Sequence, residues 1–141
     1  MTAAAACDDG GMVRQSIRGS AAAFALDAVL VVAFAALGRA THDGDVLGRF
    51  GVGLAETSWP FLVGLAVGWI VSLAARRPRA PLRTGVPVWV VTVAGGMALR
   101  AVSGQGTALA FVIVATVTLA LLLIGWRIIA ALAGRRRARS R

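Results

Sequence analysis

The sequence predicts an all-α membrane protein: a bundle of four transmembrane helices, up-down-up-down, with both termini cytoplasmic. Three observations predict it. Four apolar runs stand near residues 21–38, 59–75, 85–100 and 107–133. At 1.5 Å per residue, about 18–20 residues cross a hydrocarbon core of roughly 30 Å. The chain is 58% hydrophobic, with a mean hydropathy of +0.79, well above the balance of a soluble domain. The arginines between the runs are distributed unevenly.

Each element has its own signals. Residues 1–20 are polar and rich in small side chains, and read as a disordered cytoplasmic tail. Met12 offers a second candidate start within it. The first run follows Arg14 and Arg18, and its Ala33-Phe34-Ala35 resembles a signal-peptidase site. Asp27 interrupts the run and three more runs follow, so a span is favoured over a cleaved signal. The second run opens on Trp59, an interfacial anchor, with Pro60 in the expected first turn. The third, shortest run has Pro87 in its first turn. A tight connection over 100–106 with two glycines makes the third and fourth spans antiparallel neighbours. The fourth run is broken only by Arg127 and leads into a basic tail at 135–141.

Arg14, Arg18, Arg76, Arg77, Arg79, Arg83 and the six arginines from Arg127 onward fall on one side of this arrangement. Only Arg39, Arg49 and Arg100 fall on the other. By the positive-inside rule the first side is cytoplasmic, and the expected location is the bacterial plasma membrane. The net charge of +9 then reflects topology and attraction to anionic inner-leaflet lipids. No nucleic-acid-binding pattern is present, and nucleic acid is not expected as a partner. All basic residues are Arg, which with the abundance of Ala and Gly reads as genomic bias. Cys7 is the single cysteine, so neither an intrachain disulfide nor a cysteine metal set is expected.

Asp27 falls roughly 9 Å into the first span, and Arg127 at a similar depth in the fourth, beside Trp126. A carboxylate at that depth is costly unless paired or protonated. An Asp27–Arg127 ion pair across the two spans is therefore expected. It reads as a structural lock or as a proton or ion relay; the alternative is an Arg127 that snorkels to the headgroups.

On the outer face, Arg39, His42, Asp43, Glu56, Arg100, Gln105 and Thr107 come from stretches that a small bundle brings near one another. They are binding candidates, with Thr107 a candidate cap of the fourth helix. The plain alternative is a solvated loop with Arg39–Asp43 and Glu56–Arg100 pairs. One histidine without helical ligand spacing is a weak metal signal, and Ser58 and Ser103 lie in no nucleophile motif. No catalytic residue, metal or cofactor is assigned. Gly64, Gly68 and Ser72 line one face of the second span with small groups that admit a close helix, from this chain or another subunit.

Several stretches also resemble one family. They are Phe34 through Arg39 to His42-Asp43, Glu56-Thr57-Ser58-Trp59-Pro60-Phe61, Leu99-Arg100 to Gly104-Gln105-Gly106-Thr107, then Phe111, Val114-Ala115-Thr116 and Gly125-Trp126-Arg127. They are similar to a family of small bacterial four-span membrane proteins catalogued as domain of unknown function 3054, over roughly 21–130. The resemblance implies a multi-pass membrane protein and no reaction. Two function classes follow. One is a non-enzymatic accessory subunit or small oligomeric transporter or channel component, with lipids and a membrane-protein partner or a second copy as its contacts. The other is a membrane-embedded enzyme acting on a lipid headgroup or other anionic substrate at the outer cluster, where Arg39 and Arg100 would hold a phosphate.

Overall fold

A computed structural model describes residues 6–42, 46–47 and 51–139. Four helices carry the chain: α1 (Ala6–His42), α2 (Val52–Val71), α3 (Val86–Val102) and α4 (Leu109–Arg139). No strand occurs among the described residues. Each helix, with α3 extended back to Pro81, is long and apolar enough to cross a membrane.

The bounds differ from the sequence expectation at several ends. Residues 6–20 are helical and continuous with the first run, not a disordered tail. The polar segment has no proline and is propagated from the apolar helix behind it, which removes the cost of separate nucleation. The second helix begins at Val52, seven residues before Trp59, so Pro60 lies inside it and not in its first turn. The carbonyl left without a donor belongs to Glu56, an exposed residue. The same helix stops at Val71, short of Ala75, because Leu73 takes a left-handed conformation (φ 49°). That turn buries Ala74 and leads into a 3-10 turn over Ala74–Arg76. Pro81–Gly85 then forms one π-helical turn that feeds directly into α3, whose Pro87 does stand in the first turn. The α3–α4 connection uses Gly104 (φ +73°) and Gly106 (φ +78°), a backbone region that glycine enters without strain.

The core is built from a few residues of each helix, among them Val31 and Phe34 of α1, Phe61 and Leu65 of α2, Val88 of α3, and Ala115, Leu119 and Leu123 of α4. Phe34, Phe61 and Phe111 cluster with centroids 5.5–6.3 Å apart. Val29, Val63, Val67, Ile70, Val90, Ile113, Val117 and Leu121 point outward and are exposed. Helices apolar on both inner and outer faces suit lipid surroundings and not water. Three buried or half-buried hydroxyls of the spans turn back onto their own helices: Ser58 donates to the Leu54 carbonyl, Thr92 to Val88 and Thr116 to Val112.

The closest helix approach is α2 on α3, through the small-residue face. A Cβ on Gly64 would stand 2.8 Å from the Thr92 carbonyl oxygen, and one on Gly68 would stand 3.1 Å from that of Val88. Ser72 donates to the Gly68 carbonyl at 2.6 Å. The face is thus occupied by α3 of the same chain, and Gly64 and Gly68 are not a surface left for another subunit. Gly64→Ala should lower stability by roughly 1–3 kcal/mol, since backbone must move to admit the methyl. Gly125→Ala, where a Cβ meets nothing within 4 Å, should be neutral or stabilising by up to about 1 kcal/mol. Thermal unfolding in a mild detergent checks the contrast.

Candidate functional site

The polar centre of the protein lies where α1, α2, α4 and the α2–α3 loop meet. Asp27 and Arg127 are both fully buried, and each has an apolar helix on either side of it in sequence. Helix α1 directs the Asp27 carboxylate inward in line with the core residues Ala23, Val31 and Phe34, at helical spacing. Helix α4 does the same for Arg127 in line with Leu119 and Leu123.

The two side chains meet as a fork on a fork. Arg127 Nη1 donates to Asp27 Oδ1 at 2.9 Å, and Nη2 donates to Oδ2 at 2.6 Å. Two indoles complete the carboxylate's shell. Trp126 Nε1 donates to Oδ1 and Trp69 Nε1 to Oδ2, each at 2.8 Å. Each oxygen therefore accepts two hydrogen bonds, which fills the roughly four lone-pair positions of a carboxylate. Arg127 spends two further donors on backbone: Nε donates to the Pro78 carbonyl at 2.9 Å and Nη1 to Leu123 at 2.6 Å. Its guanidinium carbon lies 4.6 Å from the Trp126 ring centroid, within cation–π range. Trp69 is held from its other side by Phe24, edge to face at 5.3 Å. Gly85 leaves room for the arginine stem, since a Cβ there would stand 3.2 Å from Arg127 Cδ.

Trp69 and Trp126 are the hydrogen-bond partners of Asp27 that the sequence analysis did not identify. Their signal was weak but present, because an indole N–H in an apolar segment needs an acceptor. Among the described residues Asp27 is the one buried carboxylate. Arg127 is buried and does not snorkel out to a surface.

The opposite end of the helices carries the outer-face candidates, and the structure joins only some of them. Arg100 donates to Gln105 Oε1 at 2.8 Å and to the Gln105 carbonyl at 3.3 Å, while its guanidinium lies 4.4 Å from the centroid of Phe111. Its Nε–H is buried with no acceptor. Arg39 Nε donates to the Val46 carbonyl at 3.1 Å, and its guanidinium packs where a Cβ on Gly53 would be. Glu56 is exposed. The expected Glu56–Arg100 pair is not formed, because Gln105 and Phe111 draw Arg100 into its own hairpin. Thr107 is exposed and does not cap α4: Ala108 supplies the carbonyl that receives the first helical N–H, from Val112. The His42 side chain and Asp43 lie outside the described residues, and with them the Arg39–Asp43 pair. No group of three metal-ligating side chains occurs among the described residues.

A family model described as "Protein of unknown function (DUF3054)" matches residues 24–130. That range contains Asp27, Trp69, Trp126 and Arg127, so the whole buried network falls inside the matched region. Comparison with curated proteins and with solved structures gives no match.

Removing one member of the buried pair should cost about 3–5 kcal/mol, as it strands the other charge. Asp27→Ala and Arg127→Ala should therefore each sharply lower the amount of folded protein recovered from membranes. The double variant Asp27→Leu/Arg127→Met should recover much of it, because no charge is then left alone. Trp69→Phe should cost less, about 1.5–3 kcal/mol for one lost bond to a charged acceptor. Thermal unfolding of the four variants in one detergent gives the ranking.

Proposed function

The chain belongs to this family of proteins of unknown function, and from that premise we propose that it is a non-enzymatic component of a bacterial plasma membrane. In this reading four helices cross the bilayer up-down-up-down with both termini in the cytoplasm. The protein acts as an accessory subunit or as one protomer of a small oligomeric transporter or channel.

The observation that carries the proposal is the saturation of the buried carboxylate. A relay group must keep a lone pair or a proton available to water or to the next group. Asp27 accepts from Arg127, Trp69 and Trp126 on both oxygens, and Arg127 is tied to two backbone carbonyls besides. That arrangement suits a lock between helices and not a proton or ion relay. Contacts in sequence order support the alternating topology: Asp27 and Phe34 meet Trp69 and Phe61, Gly64 and Gly68 back onto Thr92 and Val88, and Asp27 and Phe34 meet Arg127 and Phe111. Each pair of ranges runs in opposite directions.

With α3 on the small-residue face, assembly would use the outward apolar faces instead. Helix α4 offers the most, with Leu109, Ile113, Val117, Leu121, Ile129 and Leu132 all exposed. The enzyme reading would need Arg39, Glu56 and Arg100 to converge on one substrate. Arg100 is instead engaged by Gln105 and Phe111 while Glu56 is exposed, so it is not adopted.

Two measurements test the proposal. A green fluorescent protein fused after Arg141 should fluoresce and an alkaline phosphatase fused there should be inactive, since one folds only inside and the other only outside; the reverse result removes the topology. A His42→Ala/Glu56→Ala variant should match the wild type in relieving the defect of a deletion strain. Loss of that rescue with normal protein levels would restore the enzyme reading.

A further inference from the structure

We infer that the α2–α3 loop and the adjoining part of α1 form a binding site for a phosphate group, as a lipid headgroup or a free phosphate compound presents it. A cleft of about 450 Å³ opens between them, lined among others by Gln15, Ser16 and Ser20 of α1 and by Arg76, Arg77 and Arg79 of the loop. That volume lies within the ordinary range of small-ligand sites, about 300–1,000 Å³. A second cleft of about 170 Å³ lies on the other side of Arg76 and Arg77 and adds Arg83. Among the described residues no carboxylate lines either one. The inference takes from the proposed topology only that this end faces the cytoplasmic leaflet.

Attraction to a charged leaflet requires basic residues but no particular shape around them. This loop has a shape, because its carbonyls are tied down from three sides. Ser20 Oγ donates to the Ala75 carbonyl at 2.8 Å, Thr84 Oγ1 to that of Arg77 at 2.8 Å, and Arg127 Nε to that of Pro78 at 2.9 Å. Backbone bonds from Arg76 to Leu73, Arg77 to Ala74 and Ala80 to Arg77 close the turns between them. The backbone is therefore fixed by α1, by the π-helical turn that leads into α3 and by the buried ion pair.

The side chains are left uncommitted. Arg76, Arg77 and Arg79 are exposed, and among the described residues no carboxylate lies within salt-bridge distance of them. Three guanidiniums within four residues repel one another, and a shared anion relieves that repulsion. Guanidinium forks match phosphate oxygens in pairs, and Gln15 and Ser16 add neutral donors from the facing helix. Fixed backbone, unpartnered cations and a concave space together make the site pre-organised for a tetrahedral anion.

The test uses full-length protein in a mild detergent, where orientation plays no part. A misplaced carboxyl terminus and a failed binding assay are thus separate results. Native mass spectrometry reads retention of phosphatidylglycerol against phosphatidylcholine. The wild type should prefer phosphatidylglycerol, and Arg76→Gln/Arg77→Gln/Arg79→Gln should weaken its binding by about tenfold or more. Arg135→Gln/Arg136→Gln/Arg137→Gln, which removes the same charge from the tail, should weaken it by no more than about threefold. Gly19→Phe keeps every charge and fills the cleft from α1, where a Cβ meets nothing within 4 Å; it too should weaken binding, and it decides the matter if the loop variant does not fold. Equal losses in the loop and tail variants, unchanged binding in Gly19→Phe, or no preference between the two lipids overturns the site. Competition by millimolar inorganic phosphate separates its two forms: displacement of the lipid assigns a free phosphate compound, and retention assigns the headgroup.

Discussion

A carboxylate and a guanidinium with no exposure to solvent must find all of their solvation inside the protein. Moving either ion alone into a medium of low dielectric costs several kcal/mol even after relaxation. Asp27 and Arg127 avoid that cost by geometry: two parallel N–H···O bonds, two indole N–H groups on the carboxylate and two backbone carbonyls on the guanidinium. The arrangement tolerates little displacement, since its bonds reach four different elements. Asp27 fixes α1, Trp69 fixes α2, Pro78 fixes the α2–α3 loop, and Trp126, Arg127 and Leu123 fix α4. In a lipid environment, where apolar side chains gain nothing by leaving one apolar surface for another, such polar contacts and close packing supply the specificity that the hydrophobic effect supplies in water.

The rest of the architecture follows from that constraint and one complement to it. Helix α3 contributes no hydrogen bond to the pair, and it is held instead by backbone proximity to α2. Gly64, Gly68 and Gly96 bring the two helices close enough that a methyl group would collide with main chain or with Phe61. Polar bonding thus unites three helices and the loop, and small residues attach the fourth. The Trp89 indole adds a tie from α3 to the Thr116 carbonyl of α4 at 3.0 Å. At the far end the aromatic cluster of Phe34, Phe61 and Phe111 takes over, with Arg100 lying on Phe111.

The same buried pair links the interior to the arginine-rich surface. Pro78 accepts from Arg127 on one side and lines the cleft on the other. Anything that shifts the loop backbone therefore shifts an acceptor of the buried guanidinium. Chemical potential in the described residues is concentrated at this end, while the opposite end spends its cations on local hydrogen bonds and ring contacts.

Much of this was legible from one-dimensional pattern. Four apolar runs of membrane length, the two glycines of the α3–α4 turn, the proline at the start of α3 and the lone acid of the first run are each local properties. Local chemistry suffices to read them, as does the matching depth of Asp27 and Arg127. Helix ends were less legible: α1 extends back to Ala6 and α2 begins at Val52, because a formed helix propagates through polar residues that would not nucleate one. Only the tertiary structure decided which groups meet. It gave the second ligands of Asp27 to Trp69 and Trp126, turned the small face of α2 toward α3, and drew Arg100 to Gln105 instead of Glu56. Those choices depend on how helices rotate about their axes and how deeply they sit against one another. Distant packing sets both, and no residue's immediate neighbours in sequence encode them.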